Sequence, residues 1–148
     1  MMKEGHIIMN KSEAAEQLFT SGYNCAASVL TSMCEDYDLD TELATKLACG
    51  LGGGCGEGDI CGAVSAAVLV VGLKYGQSIQ NDSGAKANCY AKRTEFIDAF
   101  KEKHGKFTCR DLLDGISELS EEDAAKERRR LCTGYVKSAV EILDELGY

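Results

Sequence analysis

Cys61 is the residue best placed to be a reactive group. It lies where a glycine-rich run ends and the apolar segment CGAVSAAVLVVGL begins. The run, residues 50–58, holds six glycines in nine positions, and a backbone without Cβ atoms can approach a ligand or another helix closely. Asp59 is placed to cap a helix over residues 60–75 by accepting hydrogen bonds from its first amides. Cys61 would then lie in the first helical turn, where the helix dipole lowers the pKa of a thiol.

Two interpretations of Cys61 stay open at this point. A thiolate is both a nucleophile and a metal ligand, so a lowered pKa would make Cys61 the reactive group of a site. A free cysteine is also a common small apolar core residue, and in that case Cys61 would be buried and inert.

Three other cysteines have comparable positions on separate helices. Cys25 follows Asn24 and Cys109 follows Thr108, two residue types that begin helices, while Cys132 lies beside an inner helical stripe. A helical bundle can bring such residues together. No two of the eight cysteines have CxxC spacing, which excludes a thioredoxin-type motif, the common ferredoxin patterns and a CxxCH haem attachment site.

The glycine-rich run is also a candidate binding segment. Gly52, Gly53, Gly54 and Cys55 precede the helix start, where unpaired amides and the helix dipole can hold an anion. The run is neither GxGxxG after a strand nor a Walker loop ending in GK[ST], so a nucleotide site is not favoured.

A basic run, residues 126–130, precedes Cys132 directly. Such a run usually forms the solvated face of a helix. The alternative is a cationic wall beside Cys132, which would favour its thiolate.

Composition limits the partners and the compartment. The formal net charge of −8 argues against binding to nucleic acid or to an anionic membrane. The longest apolar stretch, residues 63–73, is too short to span a bilayer, and the first ten residues lack the apolar region of a signal peptide. We therefore expect a cytoplasmic protein, whose cysteines persist as thiols, metal ligands or transient catalytic disulfides.

Helical periodicity predicts an all-α fold, a single-domain bundle of about six or seven helices over residues 1–148, with residues 1–10 as a loose N-terminal segment. The segment 60–75 is expected to be its buried central helix. Five further helical segments are predicted: residues 25–37, 41–49, 85–103, a short helix from Cys109 and a last region from Ser120.

Several of these residues carry a resemblance to a known family. GYNCA at 22–26, the glycines 52–54 before CGAVSA at 61–66, Cys109 with the following Leu112, and Cys132 are similar to the C_GCAxxG_C_C family of redox-active proteins, over about residues 12–146. The resemblance implies four shared cysteines, here Cys25, Cys61, Cys109 and Cys132. Ala66 stands where the CGAxxG motif has its last glycine. Four further cysteines lie outside the shared set: Cys34, Cys49, Cys55 and Cys89.

Three functions follow as hypotheses. The first is a thiol redox protein, in which Cys61 is the attacking thiolate and another shared cysteine, its Cα within about 7 Å, closes the disulfide. The second is a metal or iron–sulfur protein that uses all four shared thiolates. The third is a non-redox module that binds a small anion at the glycine-rich loop. These hypotheses imply either no cofactor or a thiolate-bound metal or iron–sulfur cluster. The expected partner is a redox protein or a small molecule. Whether the chain forms a homo-oligomer is left open.

Overall fold

The computed structural model describes residues 9–148, and in this range the chain forms an all-α bundle of seven helices, as the sequence predicts. They are α1 (Lys11–Thr20), α2 (Cys25–Met33), α3 (Thr41–Cys49), α4 (Gly62–Tyr75), α5 (Ser83–His104), α6 (Cys109–Leu112) and α7 (Glu121–Glu145). None of the helices in these residues combines the length and the apolar character that a bilayer crossing requires.

The predicted loose segment 1–10 falls mainly on residues outside the described range. Asn10, its last residue, caps α1 by accepting a hydrogen bond from the Glu13 amide at 2.8 Å.

Helix α4 is the buried central helix that the apolar run predicts. It packs against α2, α5 and α7. The side chains that fill this position are small and apolar, so neighbouring helices can approach closely; the buried ones are Gly62, Ala63, Val64, Ala66, Ala67, Val70 and Val71. Burying each valine contributes about 1.5–3 kcal/mol relative to leaving it exposed. Ala66, the departure from the family motif, lies wholly inside this core.

Side-chain caps begin α2, α3, α6 and α7, and those of α2, α6 and α7 are residues at which the sequence predicts a helix start. Asn24 accepts from the Ala27 amide at 2.9 Å, and Thr108 accepts from the Asp111 amide at 3.2 Å. Asp40 and Ser120 cap α3 and α7 in the same way. The caps of α2 and α6 fix the positions of the cysteines that follow them.

The predicted cap of α4 is wrong. The helix begins at Gly62 with Cys61 in the capping position, and Asp59 does not accept from its first amides. Residues 59–61 are instead paired with residues 107–109, since the Cys61 amide donates to the Phe107 carbonyl at 2.9 Å and the Cys109 amide donates to the Asp59 carbonyl at 2.6 Å. This antiparallel bridge, centred on Ile60 and Thr108, keeps the segment extended.

Candidate functional site

A cavity of about 710 Å³ is lined by all four cysteines that the resemblance singles out, Cys25, Cys61, Cys109 and Cys132. Three of them mark helix starts: Cys25 is the first residue of α2, Cys61 precedes α4, and Cys109 is the first residue of α6. Cys132 reaches the cavity from the middle of α7. The fold therefore gathers residues that are up to 107 positions apart in the sequence (132 − 25).

Cys25 and Gly62 are in close contact. A Cβ atom added to Gly62 would lie 2.5 Å from the Cys25 sulfur and 3.0 Å from the Leu51 carbonyl oxygen. Only a glycine leaves room for the Cys25 thiol at this point. The sulfur of Cys25 therefore rests on the backbone of the residue that follows Cys61.

Cys61 and Cys109 lie on the two segments that the backbone bridge pairs. Because Cys61 pairs with Phe107 and Cys109 pairs with Asp59, the two cysteines occupy diagonal positions across an antiparallel pair. Diagonal neighbours of this kind are about 7–8 Å apart. The bridge, more than either helix start alone, sets the relative position of these two thiols.

The expected low pKa of Cys61 is wrong. Burial, and to a smaller extent the negative charge of a Cys25 thiolate, raise the pKa of the Cys61 thiol to about 12. The amides of Val64 and Ala63 act in the predicted direction and lower it, but by less. Desolvation disfavours a thiolate more strongly here than the helix start favours it, so Cys61 is a protonated thiol at neutral pH.

The pKa values of Cys132 and Cys109 are raised as well. Burial, followed by the negative charges of Cys25 and Cys109, raises the pKa of Cys132 to about 11. Burial and Cys25 also raise the pKa of Cys109. Cys25 is thus the shared neighbour, since its negative charge raises the pKa of each of the other three thiols. Its own side chain is only half-buried.

The glycine-rich run has a mainly structural role in the fold. Of the four residues of the predicted anion-binding segment, Gly53 lines the cavity, whereas Gly52, Gly54 and Cys55 do not. A Cβ at Gly52 would lie 2.7 Å from the side-chain nitrogen of Asn24, and one at Gly54 would collide with the Asp59 backbone. Glycine is required at both positions by close packing. Cys55 is exposed and has a φ of 58°, in the left-handed region, within the turn Gly54–Gly58.

The basic run before Cys132 combines the two predicted arrangements. Arg130 pairs with Glu127 in solvent, as on an ordinary helix face. Arg128 lines the cavity, and its charge lowers the pKa of Cys132 and of Cys109. The run therefore places one cation, Arg128, beside Cys132.

The four thiols do not form a metal site as they are placed. Among residues 9–148, no three side chains of the His, Cys, Asp or Glu types come together in a way that could hold one metal ion. A tetrahedral site requires each sulfur about 2.3 Å from the ion. The arrangement does not fit the four-thiolate metal or iron–sulfur hypothesis.

The other cysteines lie away from the cavity. Cys34 is buried and donates its S–H to the Thr31 carbonyl at 3.2 Å, while Cys89 is half-buried. Cys49 and Cys55 are exposed. All eight cysteines of the chain are free thiols.

Sequence reasoning missed several cavity residues. Tyr135 on α7 lines the cavity, and its hydroxyl donates to the Leu112 carbonyl at 3.2 Å. Its spacing of three residues from Cys132 places both on one helix face, a signal that could have found it. Phe19 lies on α1, which the patterning did not single out, and Arg110 follows Cys109 without any local sign of its role.

Comparison with known proteins supports the resemblance seen in the sequence. No curated protein and no solved structure matches the chain. The family described as "Putative redox-active protein (C_GCAxxG_C_C)" matches residues 23–146, a range that contains all four cavity cysteines. Because this match covers most of the chain, the protein belongs to the C_GCAxxG_C_C family of redox-active proteins.

Proposed function

We propose that the protein exchanges thiols with disulfides, and that Cys25 and Cys61 are the exchanging pair. The observation that carries the proposal is the contact between the Cys25 sulfur and Gly62, because it brings Cys25 beside Cys61 in a cavity that a substrate can enter. Membership of a redox-active family supports the same class of chemistry.

The roles of the two cysteines differ from those expected from the sequence. Cys61 was expected to be the attacking thiolate, but a pKa of about 12 keeps it protonated at neutral pH. Cys25 is half-buried whereas Cys61 is buried, so the Cys25 sulfur is the more accessible of the two to a substrate in the cavity. We therefore assign the attack to Cys25 and the closing of the disulfide to Cys61.

The reaction is a two-electron exchange. The Cys25 thiolate attacks one sulfur of a substrate disulfide, RSSR, and forms a mixed disulfide while RS⁻ departs. RS⁻ takes the proton of Cys61, and the Cys61 thiolate attacks the Cys25 sulfur. The Cys25–Cys61 bond forms as the second RS⁻ leaves and takes the proton that Cys25 gave up. Two protein thiols are oxidised and one substrate disulfide is reduced to two thiols.

Cys109 and Cys132 belong to the same proposed site. Both line the cavity, and the pKa of each is raised by the charge of Cys25, so both lie within its electrostatic reach. We propose a cytoplasmic location, since eight free cysteines persist most readily in a reducing compartment.

Disulfide mapping tests the proposal. The reduced protein is equilibrated with mixtures of reduced and oxidised glutathione, quenched with acid, alkylated and digested, and the linked peptides are identified by mass spectrometry. We expect the Cys25–Cys61 link to form at the lowest proportion of oxidised glutathione. Cys25→Ser and Cys61→Ser should abolish it, whereas the matched controls Cys34→Ser and Cys55→Ser should leave it unchanged. If any other intramolecular disulfide forms first, such as one between Cys25 and Cys109, the assignment of the pair is refuted.

A further inference from the structure

Resting on the proposed thiol exchange, we infer that the substrate is a small disulfide bearing carboxylate groups, which Arg110 and Arg128 hold at the cavity. Both arginines line the same cavity as the four thiols, although they come from different helices, α6 and α7. Neither is required by the exchange chemistry. Because they lie beside the thiols, they can determine which disulfides bind in the cavity.

Arg110 is held in place by the glycine-rich loop. Its guanidinium Nη2 donates to the Glu57 carbonyl at 2.9 Å. The side chain lies along Gly58, where an added Cβ would be 3.3 Å from the Arg110 Cβ and 3.6 Å from Nη2. A guanidinium has five N–H donors in a fixed planar arrangement that suits a carboxylate. The contact to Glu57 uses one of them and orients the others.

Arg128 lies on α7 one turn before Cys132, so both side chains are on one helix face. Its charge lowers the pKa of Cys109 and Cys132, which places it within electrostatic reach of the thiols. The next residue, Arg129, does not line the cavity. The cavity therefore receives one cation from a run of three arginines.

The charge balance favours a small substrate over a protein. Asp114 also lines the cavity, so the two arginines leave a local excess of one positive charge. The whole chain carries a formal net charge of −8, which repels an extended acidic partner. A cavity of about 710 Å³ is in the range that encloses a small molecule. Short-range contact with the arginines can then select an anion that fits inside.

Three small disulfides of similar length and different charge provide the test. They are 3,3′-dithiodipropionate, which is anionic, bis(2-hydroxyethyl) disulfide, which is neutral, and cystamine, which is cationic. The rate of Cys25–Cys61 disulfide formation is measured by acid quench and peptide mapping, and each rate is divided by the rate of that reagent with 2-mercaptoethanol. We expect the corrected rates to fall in the order anionic, neutral, cationic, and the spread to shrink in high salt.

Arginine variants then separate the cavity from the general surface. Arg110→Gln and Arg128→Gln should each lower the ratio of anionic to neutral rates by about two- to fivefold, the range of a single partly exposed ion pair. Arg129→Gln is the matched control and should leave this ratio unchanged. Circular dichroism of each variant checks that the helical bundle is intact.

The outcomes distinguish the inference from the function on which it rests. If all three reagents form the Cys25–Cys61 disulfide at equal corrected rates, the substrate assignment fails and thiol exchange stands. If an anionic preference survives both cavity variants, the two arginines are not its source and the inference fails. If none of the reagents forms this disulfide, the proposed function fails and the inference fails with it.

Discussion

The side-chain amide of Asn24 donates to the Cys49 carbonyl at 2.7 Å, and so ties the start of α2 to the end of α3. The same side chain caps α2 by accepting from the Ala27 amide. One residue therefore fixes both the direction of α2 and its position against α3. These two contacts of Asn24 position Cys25, the next residue, in the cavity.

The two contacts of Asn24 can be separated by substitution. Asn24→Asp keeps an acceptor for the Ala27 amide but loses the donor to Cys49, and we expect it to cost about 1 kcal/mol of unfolding free energy. Asn24→Ala loses both contacts and should cost about 2 kcal/mol. Urea denaturation followed by circular dichroism measures both values. Equal losses in the two variants would mean that the contact with Cys49 contributes nothing.

Gly62→Ala should displace the Cys25 thiol. The added Cβ needs the space that the sulfur fills, and overpacking of this kind costs about 1–3 kcal/mol. We also expect slower formation of the Cys25–Cys61 disulfide. Gly72→Ala is a matched control on the same helix, because nothing lies within 4 Å of its added Cβ. That control should be neutral or stabilising by about 0.5–1 kcal/mol.

A second substitution checks the cause of the Gly62→Ala effect. Cys25→Ala removes the sulfur that the new methyl group would meet, so the double variant should recover part of the lost stability relative to Gly62→Ala. Strictly additive losses would show that Gly62 is required for another reason, such as its approach to the Leu51 carbonyl.

Alkylation of Cys61 should be slow at neutral pH and rise about tenfold per pH unit from pH 7 to 9, because its pKa of about 12 leaves little thiolate. Cys25→Ser removes one of the negative neighbours that raise this pKa. Cys61 should then react faster at each pH, while burial still keeps its pKa above the ordinary value. Brief treatment with iodoacetamide and peptide mapping gives both rates. A Cys61 that is already fully reactive at pH 7 would contradict the effect of burial on its pKa.

His104 should make the protein less stable in mild acid. Its ring nitrogen Nε2 lies 2.7 Å from the Ser138 hydroxyl, and burial lowers its pKa from 6.5, with a further decrease from Lys103. A lowered folded-state pKa means that the unfolded chain binds the proton more readily. The contribution of His104 is therefore present above pH 6.5 and is lost as the pH falls through its folded-state pKa. Unfolding free energies of wild type and His104→Gln between pH 5 and 8 should converge at the acid end; a constant gap would refute this account.

Local sequence was sufficient for six of the seven described helices, all but α1, and for most of their caps. Asn24, Asp40, Thr108 and Ser120 each interact with amides three residues ahead, so their roles depend on neighbours that the sequence displays directly. Asp59 has the same residue type but does not cap, because its segment pairs with residues 107–109. A partner about fifty positions away leaves no local sign.

The chemistry of Cys61 could be predicted only in part for a similar reason. Its position at a helix start follows from the sequence, and the amides of Val64 and Ala63 do lower its pKa. The larger effect is desolvation by the surrounding helices, which depends on tertiary packing. The resemblance identified the four cysteines that share the cavity, and the basic run before Cys132 indicated Arg128 only as one of several cations, whereas Arg110 became evident only from the fold.

The bridge between residues 59–61 and 107–109 also means that the site cannot form until distant parts of the chain have come together. Cys61 and Phe107 are joined only after the intervening chain, which carries α4 and α5, has folded back on itself. Closing a long loop has an entropic cost that local helix formation does not have. Cys132 arrives later still, on the last helix to leave the ribosome among those described. A growing chain therefore carries its cysteines as separate thiols, which can become neighbours only after residues as far along as Cys132 have been made.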